Sequence, residues 1–185
     1  MKFTRLSIPD MILIDPLVHY DQRGFFFESY RREMFFKMEI PEDFVQDNQS
    51  LSARGALRGL HFQIPPYEQA KLLRVLSGSA YDVAVDIRPG SKTFGKFVSC
   101  ILSGENKRML YVPPGFAHGF CALENNTELF YKISSYYVPE YERGILWNDP
   151  AIGIDWPKLD VPYVLSEKDQ KYPTLKEFFK SSKIK

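Results

Sequence analysis

Leu72-Leu73-Arg74-Val75-Leu76-Ser77-Gly78-Ser79-Ala80-Tyr81-Asp82-Val83-Ala84-Val85-Asp86-Ile87-Arg88-Pro89-Gly90-Ser91 is the stretch whose reading decides the fold. Residues 72–76 form an apolar run, and Ser77-Gly78-Ser79 breaks it with a turn. Val83, Val85 and Ile87 then alternate with Asp82, Ala84 and Asp86, a period of two that belongs to a strand. Pro89-Gly90-Ser91 is the next turn. The same grammar continues downstream. Phe97 to Leu102 runs into Ser103-Gly104-Glu105-Asn106, and Met109 to Val112 into Pro113-Pro114-Gly115. Phe120 to Leu123 leads to Asn125-Asn126, a hairpin signal, after which Leu129, Tyr131 and Ile133 share one face. Short strands separated by turns at this spacing predict a mainly β antiparallel sandwich or barrel. Closed as a double sheet of the jelly-roll kind, such a fold protects its edges and can hold a ligand between its sheets.

Working outward, Met11 to Ile14 reads as a first strand closed by Asp15-Pro16, and Asp21-Gln22-Arg23-Gly24 as a turn. A strand over Phe25 to Tyr30 and a short helix over Arg32 to Met38 follow. Phe44 to Ser50 begins extended and turns polar, and Leu57 to Phe62 is a strand carrying His61. Beyond Tyr136 the chain is irregular and interrupted by Pro139, Pro150, Pro157 and Pro162. Ser166 is placed to cap a helix start with Asp169 at its third position. Thr174 to Lys185 reads as a short basic helix. With no internal repeat and no low-complexity segment, residues 1–185 are expected to form a single domain.

Composition narrows the function classes. A chain of 185 residues is long enough for a sizeable core. Its 24 basic and 23 acidic residues nearly cancel, and no block of like charge suits nucleic acid or a membrane surface. Cys100 and Cys121 form no CxxC motif and read as free thiols in a reducing compartment. The apolar Met11-Ile12-Leu13-Ile14 is too short for the core of a signal peptide, and no run approaches the ~18 residues needed to cross a bilayer. A cytoplasmic location is expected.

The chemistry-bearing residues gather around Arg54 to Lys71, where Gly55 and Gly59 bracket Arg58, His61 follows, and Pro65-Pro66 turns the chain before Lys71. An imidazole can exchange a proton near neutral pH, while Arg58 and Lys71 can hold an anion or oppose developing negative charge. The sequence has 3 histidines, His19, His61 and His118. A jelly-roll metal site usually needs a His-x-His pair, and here Phe62-Gln63 follows His61, leaving Glu68 and His118 as remaining donors. No Gly-x-Ser-x-Gly elbow and no phosphate-binding glycine loop occurs, so a serine triad, ATP and NAD are not expected. Acid–base chemistry fits better, with His61 as base and a carboxylate to orient it. Tyr131 is either a core tyrosine or a proton donor in a pocket. His118, in Pro114-Gly115-Phe116-Ala117-His118-Gly119-Phe120, reads as a residue of a tight turn, with a structural or a binding role. Arg23, Arg58 and Lys71 suit a diphosphate. The amides of Gln46 and Asn48 either form a turn or read the edge of a base or sugar.

Five stretches taken together resemble one family: Asp21-Gln22-Arg23-Gly24-Phe25-Phe26-Phe27-Glu28; Gln46-Asp47-Asn48-Gln49-Ser50; Leu57-Arg58-Gly59-Leu60-His61-Phe62-Gln63; Val112-Pro113-Pro114-Gly115-Phe116-Ala117-His118-Gly119-Phe120; and Ile152-Gly153-Ile154-Asp155-Trp156-Pro157 followed by Leu165-Ser166-Glu167-Lys168-Asp169. In this order they resemble the dTDP-4-dehydrorhamnose 3,5-epimerase family, a metal-free branch of the cupins, from about Met11 to Asp169. The resemblance implies a double-stranded β-helix, no cofactor, and a dTDP-linked 4-keto-6-deoxy sugar as substrate. It implies His61 as the base, Asp169 as its carboxylate partner, Lys71 as stabiliser of the enolate oxygen and Tyr131 as the acid. Arg23, Glu28, Gln46, Asp47, Asn48, Arg58, His118, Glu142 and Lys168 match positions that bind nucleotide, diphosphate or sugar, and Tyr137 matches a packing aromatic. It also implies a homodimer whose N-terminal segments cross to the partner's sheet. Three other readings stand beside this one: an epimerase of C3 or C5 alone, a sugar-nucleotide binding module without catalysis, and a metal-dependent cupin oxygenase.

Overall fold

The alternating runs become strands whose two faces are both buried. The structure, a computed structural model, describes residues 1–181. The elements in chain order are β1 (Lys2–Arg5), β2 (Ile12–Asp15), β3 (His19–Asp21), β4 (Gly24–Phe26), α1 (Arg32–Lys37), β5 (Gln46–Ser52), β6 (Leu57–Gln63), β7 (Lys71–Ser77), β8 (Ser79–Asp86), β9 (Phe97–Ser103), β10 (Met109–Val112), β11 (Phe116–Ala122), β12 (Thr127–Ile133), β13 (Glu142–Gly144) and α2 (Leu175–Ser181). Single 3-10 turns lie at Pro139–Tyr141 and Asp169–Lys171. A six-stranded sheet in the order β1-β2-β10-β7-β12-β5 faces a five-stranded sheet in the order β13-β6-β11-β8-β9. The named pairings are antiparallel. The chain passes from one sheet to the other at every step from β5 to β13 except β8 to β9, which is the wiring of the expected jelly roll.

Three apolar clusters explain why these strands stay together. Leu73, Val75, Ala84, Leu102, Leu110, Phe120 and Leu129 meet between the sheets. Val83, Val85, Leu60, Ala117 and Cys121 lie on the outer face of the five-stranded sheet, under Ile145, Trp156, Leu175 and Phe178 of the C-terminal segment. Ile12, Ile14, Leu72, Met109 and Tyr111 lie on the outer face of the other sheet, under Phe35 and Ile40. Each large apolar side chain withdrawn from water in this way contributes roughly 1.5–3 kcal/mol. The irregular stretch beyond Tyr136 is therefore the lid on a sheet.

The β8 alternation, whose direction the sequence leaves open, points Val83 and Val85 out to the C-terminal cover, while Asp82 and Asp86 are fully buried. The structure departs from the sequence expectations in four places. A short strand, β13, lies in the stretch beyond Tyr136 that reads as irregular. β11 begins at Phe116, so His118 is in mid-strand and not in a turn. The expected strand at residues 25–30 is cut to Gly24–Phe26, which pairs only with β3 in a separate hairpin whose Tyr20, Phe25 and Phe26 are exposed. The first strand is β1, which precedes the one expected at Met11. The C-terminal helix expected from Thr174 to Lys185 is realised as α2, and residues 182–185 lie outside the described residues.

Candidate active site

One extra residue in β6 builds the site. β11 pairs with β6 so that His118 faces His61 and Phe120 faces Arg58: two steps along β11 span three along β6. Such a bulge reverses the alternation of faces, so Arg58 and His61, which are three apart, both point into the sandwich. Gly59 makes the bulge possible. Its φ is +131°, and a Cβ there would come within 2.5 Å of Gly119 Cα.

The bulge brings His61 to Asp169. Ser166 Oγ accepts a hydrogen bond from the Asp169 N–H at 3.1 Å, which ties down the start of the 3-10 turn that carries the carboxylate. Asp169 Oδ1 lies 2.7 Å from His61 Nε2, and the Gly59 N–H donates to Oδ2 at 3.4 Å. The Asp169 side chain is 4% exposed and that of His61 30%, so the pair is anchored inside and open on the imidazole side. Burial pushes the Asp169 carboxyl up, but the hydrogen bond and charge of His61 and the Gly59 N–H outweigh it and hold its pKa down. An ionised carboxylate fixes one ring nitrogen and stabilises the imidazolium, leaving the other nitrogen to take a proton.

Lys71 and Tyr131 face this imidazole from the opposite sheet. Lys71 opens β7 and pairs in register with Ile133, and Tyr131 lies two residues earlier on β12, on the same inward face as Leu129. Lys71 Nζ donates to the His61 carbonyl oxygen at 3.3 Å. Burial pushes its ammonium down to about 8, against the pull of the Asp82 and Glu142 carboxylates. Burial raises the Tyr131 phenol, Arg58 opposes that rise and Glu142 adds to it, so the hydroxyl keeps its proton at neutral pH.

These groups line a cavity of about 600 Å³ together with Ser50, Arg58, His118, Phe120 and Lys168. A second lobe of about 300 Å³ is lined by Gln46, Asn48, Gln63 and Gln69 and shares His61, Lys71, Tyr131, Tyr137 and Glu142 with the first. Arg58 is aimed by its Nε donating to Ser52 Oγ at 3.1 Å. Gln46 Nε2 donates to Asn48 Oδ1 at 2.9 Å, and Gln46 Oε1 accepts the Tyr137 N–H at 3.1 Å. The Tyr137 hydroxyl donates to Glu142 at 2.9 Å, and Lys168 forms an ion pair with the same carboxylate. His118 lines the cavity with its Nε2 taken by Asp82 at 2.9 Å.

Three of the residues proposed from sequence stay away from the cavity in a single chain. Asp47 sits on the alternate face of β5 and pairs with Lys132 at 2.7 Å. Arg23 lies in the turn of the β3–β4 hairpin and pairs with Asp21 at 2.6 Å, and Glu28, just after the hairpin, pairs with Arg31 at 3.5 Å. Conversely, sequence reasoning missed what Gln63 does. It is 4% exposed, donates to the carbonyls of Tyr67 and Tyr136, and accepts the Val138 N–H at 2.6 Å, so it anchors the loop that presents Tyr137. A wholly polar side chain at an inward strand position was the signal. Asp82 was likewise read only as part of an alternation.

A histidine bonded to a carboxylate, a buried ammonium and a protonated phenol line one cavity of a double-sheet β-fold, an arrangement suited to moving protons. A model of the dTDP-4-dehydrorhamnose 3,5-epimerase family matches residues 5–177, and the chain belongs to that family. It is 55% identical over 171 residues to a dTDP-4-dehydrorhamnose 3,5-epimerase of Pseudomonas aeruginosa, covering 92% of this chain and 93% of that protein. The crystal structure of a dTDP-6-deoxy-D-glucose-3,5-epimerase from Legionella pneumophila in complex with dTDP-4-keto-L-rhamnose superposes with a TM-score of 0.92 at 45% identity, covering 95% and 93% of the two chains. A 3'-monoepimerase from Streptomyces bikiniensis in complex with dTDP-quinovose superposes with a TM-score of 0.88 at 36% identity, covering 95% and 88%.

Proposed function

We propose that this chain is a dTDP-4-dehydrorhamnose 3,5-epimerase, converting dTDP-4-dehydro-6-deoxy-D-glucose to dTDP-4-dehydro-L-rhamnose in dTDP-L-rhamnose biosynthesis. The observation that carries this is the His61–Asp169 pair opening onto the cavity that also holds Lys71 and Tyr131. The C4 ketone of the sugar acidifies the hydrogens at C3 and C5. His61 takes one of them as a proton, and the electron pair moves onto the C4 oxygen as an enolate. Lys71 opposes that charge, a type of contact worth about 3 kcal/mol. Tyr131 delivers a proton to the opposite face of the same carbon. Water then recharges the phenol and discharges the imidazolium, and the cycle repeats at the second carbon. No electrons leave the sugar, so no redox partner is required.

Arg58 suits the diphosphate, and Gln46, Asn48 and Tyr137 suit the base or sugar in the second lobe. Glu142 and Lys168, paired to each other, close the cavity beside His61. His118 contributes to sugar binding from β11. Arg23, Glu28 and Asp47 belong to nucleotide binding only if a second copy of the chain completes the site. The exposed aromatic β3–β4 hairpin supports that arrangement, a homodimer with arms exchanged. No described helix is long and apolar enough to cross a membrane, and a cytoplasmic location follows from the nucleotide-linked substrate.

A second reading, epimerisation of one carbon, is favoured by the likeness to the Streptomyces bikiniensis monoepimerase. Incubation with dTDP-4-keto-6-deoxyglucose in heavy water separates the two. The proposed function requires deuterium at both C3 and C5; deuterium at one carbon selects the second reading; no exchange rejects both.

A further inference from the structure

We propose that Tyr172 is a positioning residue for His61, and that Gly144 is the residue that lets it reach the imidazole. The inference rests on His61 acting as the base. The short segment that supplies Asp169 continues directly into Tyr172. Its ring stands edge-on to the His61 ring, with centroids 5.7 Å apart and planes at 72°. A single hydrogen bond to Asp169 fixes one nitrogen but leaves the imidazole free to swing about that contact. An aromatic ring against its side removes that freedom.

Gly144 is where the ring sits. It pairs with His61 in the register of β13 and β6. A Cβ on Gly144 would lie 2.3, 2.4 and 2.5 Å from Tyr172 Cε2, Cζ and Cδ2. Gly144 is not among the glycines with positive φ, so its backbone would accept other residues, and the tyrosine ring is what excludes them. The Tyr172 hydroxyl is buried, and the Lys168 ammonium, 5.9 Å from the ring centre, is the group that acts on it. What meets the imidazole is the ring and not the hydroxyl. Tyr172 does not line either lobe of the cavity, so it acts through His61 and not on the sugar.

The test compares Tyr172→Phe, Tyr172→Leu, Gly144→Ala and the double variant Gly144→Ala/Tyr172→Leu in the heavy-water exchange assay, with kcat and KM measured separately and thermal melting followed for each. Tyr172→Phe should stay within about twofold of the parent. Tyr172→Leu and Gly144→Ala should each lower kcat by roughly 10- to 100-fold at nearly constant KM, the size of effect expected when a catalytic group is displaced by about 1 Å. The double variant should be no worse than Tyr172→Leu, because the clash that Gly144→Ala creates is with the ring. Parental kcat in Tyr172→Leu overturns the proposal. So does a Tyr172→Phe variant as impaired as Tyr172→Leu, or a Gly144→Ala defect that persists undiminished in the Leu background. NMR supplies a readout independent of activity: the His61 ring-proton resonances, assigned with His61→Ala, should move in Tyr172→Leu and stay in Tyr172→Phe. A parent enzyme without exchange overturns the functional reading; unmoved His61 resonances overturn the positioning.

Discussion

Two histidine–aspartate pairs lie side by side at the five-stranded sheet, with His118 directly opposite His61 in register, Asp82 on β8 and Asp169 in the neighbouring 3-10 turn. Their contacts are nearly equal, 2.7 Å for His61 to Asp169 and 2.9 Å for His118 to Asp82. Their surroundings differ. The His61 side chain is 30% exposed against 8% for His118, and the aspartates are 4% and 0% exposed. Burial lowers the His118 pKa despite Asp82, and the neighbouring charges of Lys71 and His61 lower it further. A base has to exchange its proton with substrate and solvent in every turnover, and it is the open pair that suits the role proposed for it. The shut pair is a neutral imidazole held in place, suited to orient a bound sugar. Geometry of the dyad does not separate the roles; access does.

The largest effect that can break this contrast comes from the two histidines themselves. His61→Ala should cut deuterium exchange at C3 and C5 together by roughly 10²–10⁴-fold while binding of dTDP, measured by calorimetry, is kept. His118→Ala should raise KM about tenfold, equal to about 1.4 kcal/mol, with exchange per bound complex nearly retained. Equal losses of exchange in the two variants would mean that the contrast has no chemical content.

The aspartates come next. Asp169→Asn should lower kcat by about 10²-fold with little change in melting temperature, because an amide can no longer stabilise the imidazolium. Asp82→Asn should do the reverse, costing about 1–3 kcal/mol of stability in denaturant titration, because both members of that pair are closed to water and one is left poorly matched. A destabilised Asp169→Asn with an intact Asp82→Asn would invert the assignment.

How much of this was legible before the structure depends on which residues carry the information. The strand count from Lys71 to Ile133, the inward face of Tyr131 and the Ser166 hydroxyl that meets the Asp169 N–H could all be read, since each follows from a local period or a local hydrogen bond. The β8 alternation was visible but its direction was not, because what covers Val83 and Val85 comes from residues sixty or more positions away in sequence. That Arg58 and His61 share a face was hidden for a different reason: strict alternation forbids it, and only the pairing with β11 reveals the bulge. Gly59 between them was the one local hint. The exposed β3–β4 hairpin is the opposite case. Its aromatics read as a strand, and no described residue pattern near it could say that they would be left on the surface.

Lys71 ties the two pairs together and yields the smallest and most specific test. It sits on the opposite sheet between them, lining the cavity with both histidines, and the Asp82 and Glu142 carboxylates partly offset the burial that brings its ammonium down to about 8. An enolate is stabilised by the charged amine, so kcat/KM should fall on the alkaline side with an apparent pKa near 8. Stability should move the other way. The unfolded lysine titrates near 10.5, so between about 8 and 10.5 the unfolded chain holds more protons than the folded one, and this residue's contribution to stability rises with pH across that window. Lys71→Met should abolish that rise and leave the protein more stable at neutral pH, while enolate formation is lost. Asp82→Asn removes one of the two anions that favour the ammonium, so it should shift the alkaline limb to lower pH by about half a unit, or roughly 0.7 kcal/mol. Asp169→Asn should leave that limb where it is, since Asp169 is not among the charges acting on Lys71. A limb that moves with Asp169 and not with Asp82 would place the lysine under the control of the open pair.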